Sequence, residues 1–234
     1  VTPFSVIINV KDWQGMEHYD VLIATPGHSL EAQYVQSLLE TTAELNNQGI
    51  SYKWLNAYSS LVHNAREMTA TGGIDRNLNP LDAGPLGDKV TYNKIFWIDS
   101  DISWTPEDFI KLYESEYDVV TGAYLLADGT TTSVHEWGVV GGMPKERIMS
   151  LEEPLKIQSM GFGFAAIKAG VFEKLERPWF GHYTQQIQLP NGKIMDTYLG
   201  EDISWCVNAY KAGIEIYLDP TVLVGHMKKV KIEW

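Results

Sequence analysis

Asp20-Val21-Leu22-Ile23-Ala24 is a short, almost wholly apolar run closed by Thr25-Pro26-Gly27, the pattern of a buried parallel strand that ends in a turn. A strand buried on both faces needs helices to cover it. The first follows directly, because Leu30, Val35, Leu38, Leu39, Thr42 and Leu45 recur at near-helical spacing,. Asn46-Asn47-Gln48-Gly49 supplies its stop, ahead of a second strand over 50–55,. This βαβ unit constrains the rest of the chain. Another helical stretch over 62–69 is ended by Gly72-Gly73, and a loop rich in Gly, Pro, Asn and Asp runs to about Asp88,. Its length marks it as functional or mobile.

The pattern then repeats. An apolar strand is expected over 94–98, and Thr105-Pro106-Glu107-Asp108 opens a helix with a capping hydroxyl, proline at the first helical position and acid in the first turn,. Residues 117–121 read as a strand, and 177–196 as an irregular loop or hairpin around Pro190-Asn191-Gly192-Lys193,. A helix over 202–211, capped by Gly213, precedes strands over 215–218 and 222–224,. Strands alternating with helices predict an α/β fold: a Rossmann-like, mostly parallel central sheet with helices on both faces and a smaller loop or hairpin region. In such sheets ligands sit beyond the carboxyl ends of the strands. Thr25-Pro26, Asp99-Ser100-Asp101 and Gly122 fall at those ends.

Composition bounds the function. At 234 residues with 44% hydrophobic and 21% charged side chains, the chain has material for one domain spanning 1–234. The net charge of −12 and the absence of any Lys/Arg run longer than Lys228-Lys229 argue against nucleic acid as a partner. An anionic substrate stays open, since a divalent cation can carry the local positive charge. Cys206 is the sole cysteine, so no internal disulfide and no cysteine-based zinc site can form. With no apolar run of membrane-spanning length and no signal-peptide pattern,, the expectation is a soluble chain in a reducing, cytoplasmic compartment. The oligomeric state is open.

Asp99 and Asp101 follow the apolar Ile95-Phe96-Trp97-Ile98, so a buried strand delivers two carboxylates to the sheet edge. Like charges this close repel, whereas a hard divalent cation neutralises both and bridges to a diphosphate. An isolated Asp-x-Asp is more often one turn-capping and one solvated residue. Its place after a buried strand favours the metal. Glu201 and Asp202 stand after Gly200 at the start of a helix, where the dipole favours negative charge; Asp202 suits an N-cap or a general base. His226 ends a strand and is a packed histidine or a ligand depending on its partners. Arg66 pairs with a neighbour or holds a diphosphate. Met160-Gly161-Phe162-Gly163-Phe164 is a tight bulged strand or a close backbone approach to a ligand. Trp137, Trp179, Phe180 and Tyr183 are packing residues or surfaces for sugar rings.

Taken in order, Thr25-Pro26, Asn64-Ala65-Arg66, Asp99-Ser100-Asp101, Met160-Gly161-Phe162-Gly163, Gly200-Glu201-Asp202 and Gly225-His226 resemble the motif series of GT-A glycosyltransferases. The resemblance runs from about residue 21 to 226 and implies a GT-A type fold, with 20–121 the nucleotide-binding half and 122–234 the acceptor side. It implies transfer of a sugar from a nucleotide-sugar, UDP- or GDP-linked, to a glycan or other hydroxyl acceptor, with Mn2+ or Mg2+. It places Thr25, Pro26 and Arg66 on the donor, Asp101 on the metal, Asp99 on the ribose or the metal with Ser100 between them, and His226 as a third metal contact. Gly161 and Gly163 would border the donor sugar. Asp202 would be the base of an inverting displacement, with Glu201 a substitute, and a retaining reaction remains open. The rival readings are a nucleotidyltransferase, which wants a glycine-rich basic loop that Thr25-Pro26-Gly27-His28-Ser29 does not supply, a metal phosphatase with an aspartyl nucleophile, and a non-catalytic nucleotide- or glycan-binding module on the same fold.

Overall fold

The computed structural model describes residues 17–72, 84–188 and 191–228. Gly73 with the loop residues up to 83, and Pro190 of the expected hairpin turn, lie outside them. Val21, Leu22, Ile23 and Ala24 are fully buried, and because successive strand residues point to opposite faces, β1 (Glu17–Pro26) must be covered on both. α1 (Ala32–Asn47) returns the chain to β2 (Tyr52–Ala57), parallel to β1. α2 (Val62–Ala70) follows, and then β3 (Val90–Ile98) on the other side of β1, also parallel.

After the short β4 (Ile102–Ser103), α3 (Pro106–Glu114) starts as its sequence demands: Thr105 and Asp108 form a reciprocal capping box with Pro106 in the first turn,. β5 (Val119–Ala123), β6 (Val134–His135) and α4 (Lys145–Met149) lead to β7 (Leu155–Ile157), β8 (Ser159–Met160) and β9 (Phe164–Lys168). The hairpin β10 (Tyr183–Gln188) and β11 (Ile194–Leu199) precedes α5 (Glu201–Lys211), β12 (Ile216–Leu223) and β13 (Gly225–His226). The main sheet has the order β2-β1-β3-β9-β5-β12-β7. Five strands share one direction, while β9 runs antiparallel between β3 and β5 and β7 antiparallel at the edge.

Helices lie on both faces, as expected. On one side α1 and α3 pack Tyr34, Leu45, Phe109 and Leu112 against Val21, Ile23 and Phe96, with Phe96 and Phe109 stacked at 3.8 Å. On the other, α2 and α5 bring Ala70, Trp205 and Ala209 against Leu22, Ala24 and Trp97. Two expectations are corrected. Val35 and Leu39 are exposed, at 38% and 64%, and the buried stripe of α1 is Tyr34, Ser37, Thr41 and Leu45. Ser37 and Thr41 can face inward because their hydroxyls accept the Trp104 backbone and indole N–H groups, at 3.0 and 2.8 Å,. The two final strands are one, β12, whose pairing with β5 shifts register between Leu218 and Leu223, as at a β-bulge.

Candidate active site at the carboxyl edge

β1 and β3 are neighbours and parallel, so Pro26 and Asp99 emerge side by side at the same sheet edge. With Ser100, Asp101, Val62, Met227 and Lys228 they line a cleft of about 450 Å3, within the range of small-molecule sites. Four residues expected there from sequence are present. Thr25 is not among the lining residues: it is fully buried, bonded to the Tyr34 hydroxyl, and accepts the Trp54 indole N–H at 3.0 Å. It secures the strand end behind the cleft.

Arg66 lies inside the protein, its side chain 4% exposed. Nη2 sits 2.9 Å from Asp99 Oδ1 and Nε 3.2 Å from Glu201 Oε1, so α2 is tied to the end of β3 and to the start of α5. The guanidinium also stands over the Phe162 ring at 5.4 Å,. Burial works against its charge, but Asp99, Glu201 and Asp202 outweigh it and hold its pKa above the ordinary value. Nη1 is buried without a hydrogen-bond partner, a donor left for something else.

Asp101 faces a different set. Its Oδ2 accepts from His226 Nε2 at 3.2 Å and Lys228 Nζ at 3.0 Å. Burial pushes this carboxyl up, yet the bonds from His226 and Lys228 prevail and bring it down to about 2. The His226 pKa is raised, chiefly by its bond to Asp101. His226 arrives because β13 pairs with β4, setting His226 opposite Ile102. Its Nδ1–H donates to the Leu125 carbonyl at 2.8 Å.

At the start of α5 the Asp202 Oδ1 accepts the Ile203 N–H at 2.7 Å. Its pKa is raised, first by burial and then by Glu201, with Asp99 adding to the effect. Gly161 and Gly163 are buried for a packing reason. A Cβ on Gly161 would stand 2.3 Å from the Tyr124 hydroxyl, and one on Gly163 2.5 Å from the Tyr124 ring. The Tyr124 hydroxyl accepts the Gly163 N–H at 3.3 Å, and its own pKa is driven up by burial and by Asp99. Trp179 and Phe180 are core residues, whereas Trp137 is 43% exposed.

Among the described residues no three His, Cys, Asp or Glu side chains gather as a metal-holding cluster. The expected metal contacts fall into two separate groups instead: Asp99 is turned to Arg66, and Asp101 to His226 and Lys228. Asp101 offers the carboxylate oxygen that Mn2+ or Mg2+ prefers, and His226 an imidazole, a common metal ligand in general. The Leu125 carbonyl takes the Nδ1–H, so Nε2, which bonds Asp101 here, is the nitrogen that could face a cation after losing its proton,. Lys228, whose place at the site no motif announces, puts its ammonium on the same Asp101 oxygen that His226 bonds. No helix among the described residues is long and apolar enough to cross a membrane.

No family model matches the chain, and no curated protein matches it in sequence. Among solved structures it is similar in fold to A197 from STIV, with a TM-score of 0.53 at 20% identity over 92% of this chain and 87% of that one. Weaker likenesses are to a mutant of Drosophila β1,4-galactosyltransferase 7 with manganese, UDP-Gal and xylobiose (TM-score 0.47, 12% identity, 91% of this chain and 71% of that one). GalNAc-T7 with UDP, GalNAc and Mn2+ gives a TM-score of 0.44 at 10% identity, over 91% of this chain and 38% of that one. This chain therefore spans well under half of GalNAc-T7.

Proposed function

We propose that this chain is a GT-A type glycosyltransferase that moves a sugar from a nucleoside-diphosphate donor, UDP- or GDP-linked, to an acceptor hydroxyl. The observation that carries the reading is the meeting of Pro26, Asp99, Ser100 and Asp101 around one cleft at the carboxyl edge of the sheet. These residues come from two strands far apart in sequence, and Arg66 joins Asp99 to the acidic start of α5. A single functional site explains why such costly charges are concentrated there.

Pro26 and Ser100 would shape the nucleotide end of the cleft, and Asp99, steadied by Arg66, would reach the ribose. Lys228, which lines the cleft, would supply positive charge for the diphosphate, with the buried Arg66 behind Asp99 adding to the field,. Mn2+ or Mg2+ would be held by Asp101 and His226, with Asp99 reaching it directly or through water, and would supply further neutralisation of the leaving group once Lys228 swings off Asp101. Asp202 would take the proton of the acceptor hydroxyl as its oxygen attacks the anomeric carbon. The bond from that carbon to the diphosphate breaks, its electron pair leaving with the nucleoside diphosphate. A carboxyl whose pKa is raised by burial and Glu201 is a stronger base than an ordinary one. Glu201, bound to Arg66, is less free for that role.

One observation favours a second reading, a nucleotide- or glycan-binding module without turnover: Asp202 is engaged with the amide of its own helix. Thermal-shift measurements with UDP- and GDP-sugars, with and without Mn2+, test binding. At least one donor should stabilise the protein more when Mn2+ is present, and release of nucleoside diphosphate should follow. Stabilisation without release selects the binding module. No stabilisation by any donor overturns both.

A further inference from the structure

The carboxyl edge carries a second cleft. It measures about 380 Å3 and is lined by Leu125, Ile148, Met149, Leu223 and Val224, with Lys145 at its rim. It lies beyond the ends of β5 and β12, as the charged cleft lies beyond β1 and β3, and β13 is the wall between them. Gly225 of that strand lines the apolar side, while Met227 and Lys228, which follow the strand, line the charged side. His226 links the two through its bonds to Leu125 on one side and Asp101 on the other.

The lining has little left to offer a polar ligand. The Thr132 hydroxyl donates to the Met143 carbonyl and accepts the Val134 N–H. The Tyr124 hydroxyl accepts the Gly163 N–H and is hydrogen-bonded to the Ser133 side chain. A sugar seated here would find the Lys145 ammonium but few other side-chain partners for its several hydroxyls, a cost that an apolar group does not incur,. Leu223 and Met149 are 54% and 73% exposed, so an apolar occupant would cover surface that now faces water. The volume is that of a small molecule rather than a protein partner. The exposed Lys145 sets a positive charge at the rim.

We propose that this cleft binds the apolar alkyl or aryl portion of the acceptor, so that the acceptor is an amphiphile whose hydroxyl reaches the charged cleft across β13. The acceptor role rests on the glycosyltransferase reading, whereas the binding of an apolar group does not. Decanoate is the probe, titrated by calorimetry into the full chain and into Met149→Glu and Leu223→Glu, both exposed positions whose substitution spares the core. One saturable site is expected, weakened at least tenfold in either variant, with thermal stabilisation by nucleotide-sugars unchanged. Absence of binding, or binding indifferent to both substitutions, overturns the proposal. In transfer assays, alkyl glycosides should show a KM at least tenfold below that of the same free sugar, a preference lost in Leu223→Glu. Decanoate binding without that preference overturns the acceptor assignment. Decanoate binding with no response to any nucleotide-sugar sinks the glycosyltransferase reading instead, and the acceptor assignment with it, while the apolar site stands.

Discussion

Arg66 Nη2 lies 2.9 Å from Asp99 Oδ1, so the first carboxylate of the acidic tripeptide is held by a guanidinium that is itself buried. The same side chain reaches Glu201, 135 positions further on. Removing Arg66 would strand Asp99 and Glu201 beside the raised Asp202 without a counter-charge. Arg66→Met is expected to cost about 3–5 kcal/mol, the scale for leaving a buried charge unpaired. Arg66→Lys should recover little, because one ammonium cannot span both carboxylates. Urea denaturation checks this. A variant within about 1 kcal/mol of the parent would mean that the pair is solvated in solution.

The contact between Gly163 and Tyr124 makes a different kind of prediction. Gly163→Ala places a methyl against the aromatic ring and should destabilise by about 1–3 kcal/mol through overpacking. Tyr124→Ala opens space at the same point. In the double variant the glycine substitution should lose most of its cost, a coupling that a double-mutant cycle measures directly. Strict additivity would show that the glycine serves something other than the tyrosine.

Lys94 is 6% exposed, and its ammonium donates to the carbonyls of Leu112, Tyr113 and Ser115 at the end of α3. These carbonyls lack helical partners, and the helix dipole favours a cation there. Lys94→Met is expected to cost about 1.5–3 kcal/mol, the worth of hydrogen bonds to a charged group. Amide exchange should quicken most in the last turn of α3. Uniform exchange changes across the sheet would contradict a local role.

What the sequence disclosed and what it withheld follow one physical division. α3 could be read from Thr105-Pro106-Glu107-Asp108 because a capping box is local,. The strand ends at Pro26 and Asp99 were legible because a doubly buried strand is an apolar run in sequence,. The inner face of α1 is not legible from hydrophobic spacing, because Ser37 and Thr41 are buried by bonds to Trp104, more than sixty residues away. The place of Lys228 is hidden for the same reason. Its contact with Asp101 spans 127 positions and depends on β13 pairing with β4, which two-residue strands do not announce. The glycines around Phe162 were noticed, but only the arrival of Tyr124 gives them a packing reason.

Asp202 supplies a prediction in which stability and activity move in opposite directions. Burial and the neighbouring Glu201 raise its pKa above the ordinary 3.8. Below that value the carboxyl is protonated in both folded and unfolded chains and contributes no penalty. As the pH rises, the unfolded chain releases its proton first, so the folded state loses stability until its own carboxyl has ionised. Asp202→Asn removes the charge, and its amide oxygen can still accept the Ile203 N–H. The variant should match the parent near about pH 3 and be more stable at neutral pH by about 1 kcal/mol, the scale of single stabilising changes at strained sites. Transfer should fall by roughly two to four orders of magnitude, as expected for loss of a general base, while nucleotide-sugar binding persists. Urea unfolding across the pH range checks the first part and single-turnover transfer the second. A stability difference that does not vary with pH would remove the argument for a raised carboxyl, and with it the physical reason for choosing Asp202 over Glu201.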